Sequence, residues 1–195
     1  MNELQASGAF VLALADPAAS LELVGGKGAS LARLARGGFN VPRGFHLTTA
    51  AYRALVEANA LEAPILEAIS RQAADQAASA ITQLFDRAAV PEGIRDALIA
   101  AYAALGQLDP AVAVRSSATA EDLPGLSFAG QQDTFLNVRG QDALDRAVRR
   151  CWASLWTARA IEYRQRAGIE HAAVSLAIVV QEMVAAEAAG VLFTA

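Results

Sequence analysis

The stretch Val114-Arg115-Ser116-Ser117-Ala118-Thr119-Ala120-Glu121-Asp122-Leu123-Pro124-Gly125-Leu126-Ser127-Phe128-Ala129-Gly130-Gln131-Gln132-Asp133-Thr134 decides how the rest of this chain is read. Its start belongs to the run Ala111–Ser116, which predicts a strand. Its end opens the alternation Gln132–Val138, where Thr134, Leu136 and Val138 oppose Asp133, Phe135 and Asn137, and this predicts another. Between them lies a long loop of small, hydroxyl and acidic residues. Loops of that length in compact domains are functional or disordered. Arg115 brings a planar, two-pronged donor that matches phosphate oxygens. Ser116, Ser117, Thr119 and Thr134 add hydroxyls, and Gly125 and Gly130 let the loop fold over a ligand. A plain surface loop with Arg115 in a salt bridge is the alternative this pattern leaves open.

Upstream, Phe10–Leu14 predicts a short strand, and Leu21–Val24 leads into Gly25-Gly26-Lys27-Gly28. Ala29–Arg36 then repeats apolar residues at helical spacing, with Gly37-Gly38 as a left-handed stop. The glycine cluster therefore reads as a strand end running into a helix start. Helix starts offer unpaired N–H groups and partial positive charge to an anion. Lys27 adds a full charge there, and it is the one lysine among sixteen basic residues. The segment is not a Walker A loop, because Gly28 stands where Ser or Thr would follow the lysine. A tight turn is the plainer reading of these residues alone.

Gly44–Leu47 predicts a second strand, with Thr48 or Thr49 capping a helix to about Asn59. Pro64 to Leu105 is Ala-rich and helical, broken near Val90-Pro91. Asp142 begins a helix with apolar Leu144, Ala147, Val148, Cys151, Leu155 and Trp156. Val174–Met183 is a near-continuous apolar run of the buried-strand kind, and Gly190–Thr194 predicts a last strand. With no cap or turn after it, the chain reads as one that continues.

Composition removes several classes of function. The 195 residues are 54% hydrophobic and 18% charged, too apolar for a disordered chain. A net charge of −4, with no Lys/Arg stripe, argues against a nucleic-acid partner. No apolar run reaches the roughly 18–20 residues of a membrane span, and the N-terminus lacks the pattern of a signal peptide. Cys151 is the only cysteine, so the expected compartment is the cytoplasm. On its helix's apolar face Cys151 reads as a core residue, as do Trp152 and Trp156. His46 and His171 have no metal-spaced companions, and no residue is assigned to a metal. Glu121 and Asp122 are taken as loop residues.

The run Val114–Asn137 strongly resembles the ATP-binding segment of phosphoenolpyruvate synthases and rifampicin phosphotransferases. It is more distantly similar to pyruvate phosphate dikinases and glucan water dikinases. Val24–Leu34 with Phe39–Gly44, Trp152–Tyr163, and Val180–Thr194 resemble the same family in the same order. Only the Ala-rich middle, about Asn59 to Leu108, lies outside the likeness. The fold this implies is α+β: the N-terminal part of an ATP-grasp-like domain, with a helical insert between two small mixed sheets. Two lobes are expected, 1–108 with the phosphate grip and 109–195 with a covering loop and an adenine-side hinge strand. By the same resemblance, Lys27 and Arg115 would hold the phosphates of ATP, and Gly130 and Thr134 would belong to the covering loop. Gln181, with Glu182 to Val184, would line the adenine end.

The resemblance further implies Mg²⁺ and a reaction in which ATP yields AMP. A phosphoryl group would pass through a phosphohistidine to pyruvate. The metal site, the carrier histidine and the acceptor domain would all lie beyond Ala195. No catalytic residue is expected in this chain, which alone would not turn over. The alternatives are the same segment of a rifampicin phosphotransferase, a non-catalytic nucleotide-binding module, and a helical scaffold without a ligand.

Overall fold

The apolar run near the end of the chain becomes the centre of the fold. In the computed structural model, which describes residues 9–106, 108–119 and 134–190, five strands form one antiparallel sheet. They are β1 (Val11–Ala13), β2 (Gly44–Leu47), β3 (Val112–Ala118), β4 (Thr134–Val138) and β5 (Leu176–Glu182), in spatial order β1-β2-β5-β3-β4. Both alternating sets of β5, Leu176, Ile178 and Val180 on one face and Ala177 and Val179 on the other, are buried. Such a strand needs a partner on each edge and cover on each face. β2 and β3 supply the edges. The expectation of two small mixed sheets is corrected by this pairing: β5 inserts between strands from the two parts of the sequence and joins them.

Seven α-helices lie among the described residues. Only α1 (Leu21–Arg36) covers the face carrying Ala177 and Val179. Its buried Val24 and Ala32 pack with Leu12 and Ala19 in a small core. The other face carries the main core, built from α2 (Thr49–Ala58), α3 (Glu62–Arg71), α4 (Ala74–Arg87), α5 (Glu92–Ala103), α6 (Gln141–Ala153) and α7 (Ala158–Ala167). The buried positions keep helical spacing: Ala77, Ile81 and Phe85 on α4, and Ile94, Leu98 and Tyr102 on α5. Tyr52 stacks on Phe85 at 6.2 Å and meets Trp152 edge-on at 6.3 Å. Pairs of this kind add about 0.5–1.5 kcal/mol beyond the area they bury.

Helix ends follow local chemistry, with one departure. The left-handed stop expected at Gly37-Gly38 forms at Gly38, with φ +79°. Phe39 N–H then reaches the Leu34 carbonyl and Gly38 N–H that of Ala35, which closes the helix. Thr48 sits at the start of α2 but caps nothing; its hydroxyl donates to the Ala9 carbonyl at 2.8 Å, and that of Thr49 to the Glu22 carbonyl. Thr157 does cap α7, accepting from Ala160 N–H at 3.3 Å. Cys151 is fully buried in the main core, together with Trp152. The expected strand at 190–194 lies almost entirely outside the described residues. None of the described helices is long and apolar enough to cross a membrane.

Candidate functional site

The glycine cluster does not follow a strand. Leu21–Val24 is already the first turn of α1, and the helix breaks at Gly25, with φ +69° and ψ +177°, before it resumes. Few non-glycine residues tolerate that conformation. The break also brings α1 hard against β3: a Cβ at Gly25 would stand 2.2 Å from the Ser117 carbonyl oxygen and 2.5 Å from its Oγ. In the contact, Ser117 Oγ accepts from Gly28 N–H at 3.0 Å and donates to the Val24 carbonyl at 2.7 Å. One buried hydroxyl therefore spans the break.

Lys27 projects from the resumed helix. Its ammonium donates to the Ser116 carbonyl at 3.3 Å, while the side chain stays exposed. That carbonyl belongs to the residue after Arg115. Arg115 is half-buried, and it shares the α1 face of the sheet with Ser117, two residues on. Among the described residues, no hydrogen bond or ion pair holds its guanidinium. Across the sheet Arg115 stands opposite Thr134 on β4 and Val179 on β5. Directly opposed residues share a face, with Cβ atoms about 4.5–5.5 Å apart. Lys27, Arg115 and Thr134, drawn from three distant parts of the sequence, are thus brought to one region. Gly130 lies outside the described residues.

Gln181 is two residues beyond Val179 on that same face, about 7 Å along the strand. Its amide donates to the Pro42 carbonyl at 3.2 Å. Glu182 N–H pairs with the Arg43 carbonyl at 2.8 Å, and Met183 N–H with that of Ala111 at 2.9 Å. Val184 is exposed. The site residues therefore form a line over the sheet, with two cations at one end and the Gln181–Val184 strand end at the other.

Two contributors were not legible as such. Ser117 reads in the sequence as one loop hydroxyl among several, and its place on a strand against a glycine is visible only in three dimensions. His46 is fully buried beneath Gly28, with Nε2 donating to the Leu14 carbonyl at 3.1 Å and Nδ1 without a partner. Burial pushes its pKa down, against the opposing pull of the Leu14 carbonyl and Asp16. A neutral imidazole filling the space under the glycine helix is the result. Among the described residues, no group of three or more His, Cys, Asp or Glu side chains is placed to hold a metal ion.

A model of the pyruvate phosphate dikinase AMP/ATP-binding domain matches residues 21–195. The chain belongs to this family. A probable phosphoenolpyruvate synthase of Methanothermobacter thermautotrophicus is 47% identical to this AMP/ATP-binding domain chain over 183 residues, covering 88% of it and 27% of the relative. A rifampicin phosphotransferase of a Streptomyces species is 46% identical over 197 residues, covering 97% and 23%. A phosphoenolpyruvate synthase of Aeropyrum pernix is 43% identical over 185 residues, covering 89% and 23%. The AMP/ATP-binding domain chain thus spans about a quarter of the length of these curated relatives.

Proposed function

We propose that this chain is the ATP-binding segment of a phosphoenolpyruvate-synthase-type dikinase, working in the cytoplasm. Lys27 and Arg115 grip the phosphate tail, and Thr134 and Gly130 belong to the loop that covers it. Gln181, Glu182 and Val184 line the adenine end. Because the N–H groups of Glu182 and Met183 are engaged by Arg43 and Ala111, this stretch offers the base its carbonyls and Val184. The two parts of the sequence, 1–108 and 109–195, act as lobes in the sense that each supplies one cation. ATP lies over the α1 face, closed by an ATP-grasp-type continuation of the polypeptide.

The observation that carries this reading is the approach of the Lys27 ammonium to the carbonyl beside Arg115. It sets an ammonium from α1 beside the strand that carries the Arg115 guanidinium, so two cations from distant parts of the sequence serve one phosphate tail. Phosphoryl transfer is catalysed mainly by such positioning and charge neutralisation. In the proposed reaction ATP and water give AMP and inorganic phosphate: the γ-phosphoryl group goes to water, and the β-phosphoryl group passes by way of a histidine elsewhere in the polypeptide to pyruvate. The carrier histidine and the acceptor domain belong outside this chain, which alone does not turn over. The described residues offer no cage for Mg²⁺, and the protein ligands of the ion that accompanies ATP, like the carrier histidine, belong elsewhere in the polypeptide. The 46% identity to a rifampicin phosphotransferase supports, as the second reading, the same segment of an enzyme whose acceptor is rifampicin.

Calorimetry of Mg-ATP binding tests the proposal on the native protein, Lys27→Ala and Arg115→Ala. Each substitution removes a charge-assisted contact of about 1.5–3 kcal/mol, so each should weaken binding by roughly ten- to a hundredfold. Equal affinity in all three proteins rejects the site. Binding without any turnover by the complete polypeptide would leave a nucleotide-binding module rather than an enzyme.

A further inference from the structure

We infer that Ser117 is a positioning residue for the phosphate grip, acting through Lys27 rather than touching the nucleotide. This rests on the reading of Lys27 given above. The inference begins at the break in α1. A helix that restarts exposes unpaired N–H donors in its new first turn, and a side-chain oxygen just before the turn ordinarily satisfies one of them. Gly25 occupies that place and has no side chain to do so. Ser117 reaches in from β3 instead, accepting from Gly28 N–H at 3.0 Å and donating to the Val24 carbonyl at 2.7 Å.

The hydroxyl therefore ties the last turn before the break to the first turn after it, and both to β3. Lys27 sits between the tied residues, and its ammonium lands on the carbonyl immediately before Ser117. Arg115 is two residues earlier on the same strand. Ser117 thus fixes the position of one cation relative to the other. Its hydroxyl is buried, with its donor engaged by Val24 and a lone pair by Gly28. No bond is left over for a phosphate from the groups that a direct contact would use. The glycine at 25 completes the device, because any side chain there would collide with Ser117 itself.

The test is a double-mutant cycle on the full polypeptide that carries this chain, with Mg-ATP affinity measured by calorimetry. Wild type, Ser117→Ala, Lys27→Ala and the double variant are compared. Losing two buried hydrogen bonds should weaken ATP binding about tenfold in Ser117→Ala. In the Lys27→Ala background, the same change should cost less than about twofold, since coupled residues are not additive. A general structural role would lower affinity by the same factor in both backgrounds, and that outcome overturns the inference. Ser117→Cys, similar in shape but a weaker donor and acceptor, should fall between serine and alanine. It carries the same cycle where alanine prevents folding. If Lys27→Ala binds ATP as wild type does, the nucleotide reading itself fails; if only Ser117→Ala does, the positioning role fails alone.

Discussion

Replacing Gly25 by alanine should be among the most damaging methyl additions this fold can receive, and two other glycines show why. Gly38 has φ +79° and open space around it, so an added Cβ meets only backbone strain. That strain is about 1–2 kcal/mol, reduced by the roughly 0.4–1 kcal/mol that alanine gains by restricting the unfolded chain. Gly44 shows no such backbone conformation, but its Cβ would stand 2.3 Å from the Val180 carbonyl oxygen across the β2–β5 pair. Overpacking of that kind costs about 1–3 kcal/mol. Gly25 suffers both: φ +69° and a Cβ 2.2 Å from the Ser117 carbonyl. Adding strain of about 1–3 kcal/mol to the same overpacking range gives roughly 2–6 kcal/mol. That is a large part of the 5–15 kcal/mol of a typical domain. Urea unfolding of the three variants, with an unchanged slope against denaturant, measures each loss. The order should be Gly25→Ala worst, then Gly44→Ala, then Gly38→Ala. A Gly25→Ala protein no less stable than Gly38→Ala would refute the close contact between α1 and β3.

His46 should make the fold sensitive to acid. Burial lowers its folded pKa below the ordinary 6.5, so its contribution is full above about pH 6.5 and is lost as pH falls through the folded value. His46→Gln, whose amide retains a donor for the Leu14 carbonyl, should show a shallower fall in melting temperature between pH 7.5 and 5; an unchanged slope would exclude His46 as the source. Arg164 is a buried cation with a lowered pKa of about 10, held 4.9 Å over Trp156 and donating to His171 Nδ1 at 3.1 Å. No carboxylate pairs with it among the described residues. Arg164→Met should therefore unfold within about 1 kcal/mol of wild type or be more stable, as buried charges replaced by apolar groups often are. The His171 pKa, held down by burial and by Arg164, should rise in that variant when followed by NMR. A loss above about 3 kcal/mol would mean that the charge is compensated.

The helical character of 64–105 was legible from its alanine content, and α6 from apolar residues at helical spacing, but the break between α3 and α4 at Gln72-Ala73 carries no glycine or proline to mark it. β5 was legible as a buried strand from its continuous apolar run. Sheet order was not legible, because a run buried on both faces says that it has two neighbours without saying which. The clue lies in Gly44, whose missing side chain admits the Val180 carbonyl, but a glycine in a sequence does not name what approaches it. The start of α1 was misread for a related reason. Leu21–Val24 is one helical turn long, and periodicity cannot separate a turn from a short strand over four residues.

The same limit bears on the candidate site. Arg115 and Lys27 stood out because each is chemically unusual where it occurs, an arginine at a loop's mouth and a lone lysine among glycines. What brings them together is chemically ordinary: a serine, two glycines and a buried histidine. Each acts through shape, by letting α1 lie close on β3 or by filling the space beneath it. A residue whose contribution is to be small leaves no periodicity and no charge pattern to find. The groups that would meet a ligand can therefore be picked out from a sequence more readily than the contacts that hold them in place. If the positioning role of Ser117 is right, substitutions at such quiet positions should alter nucleotide affinity as much as loss of a charged grip, while leaving every charge in the site intact.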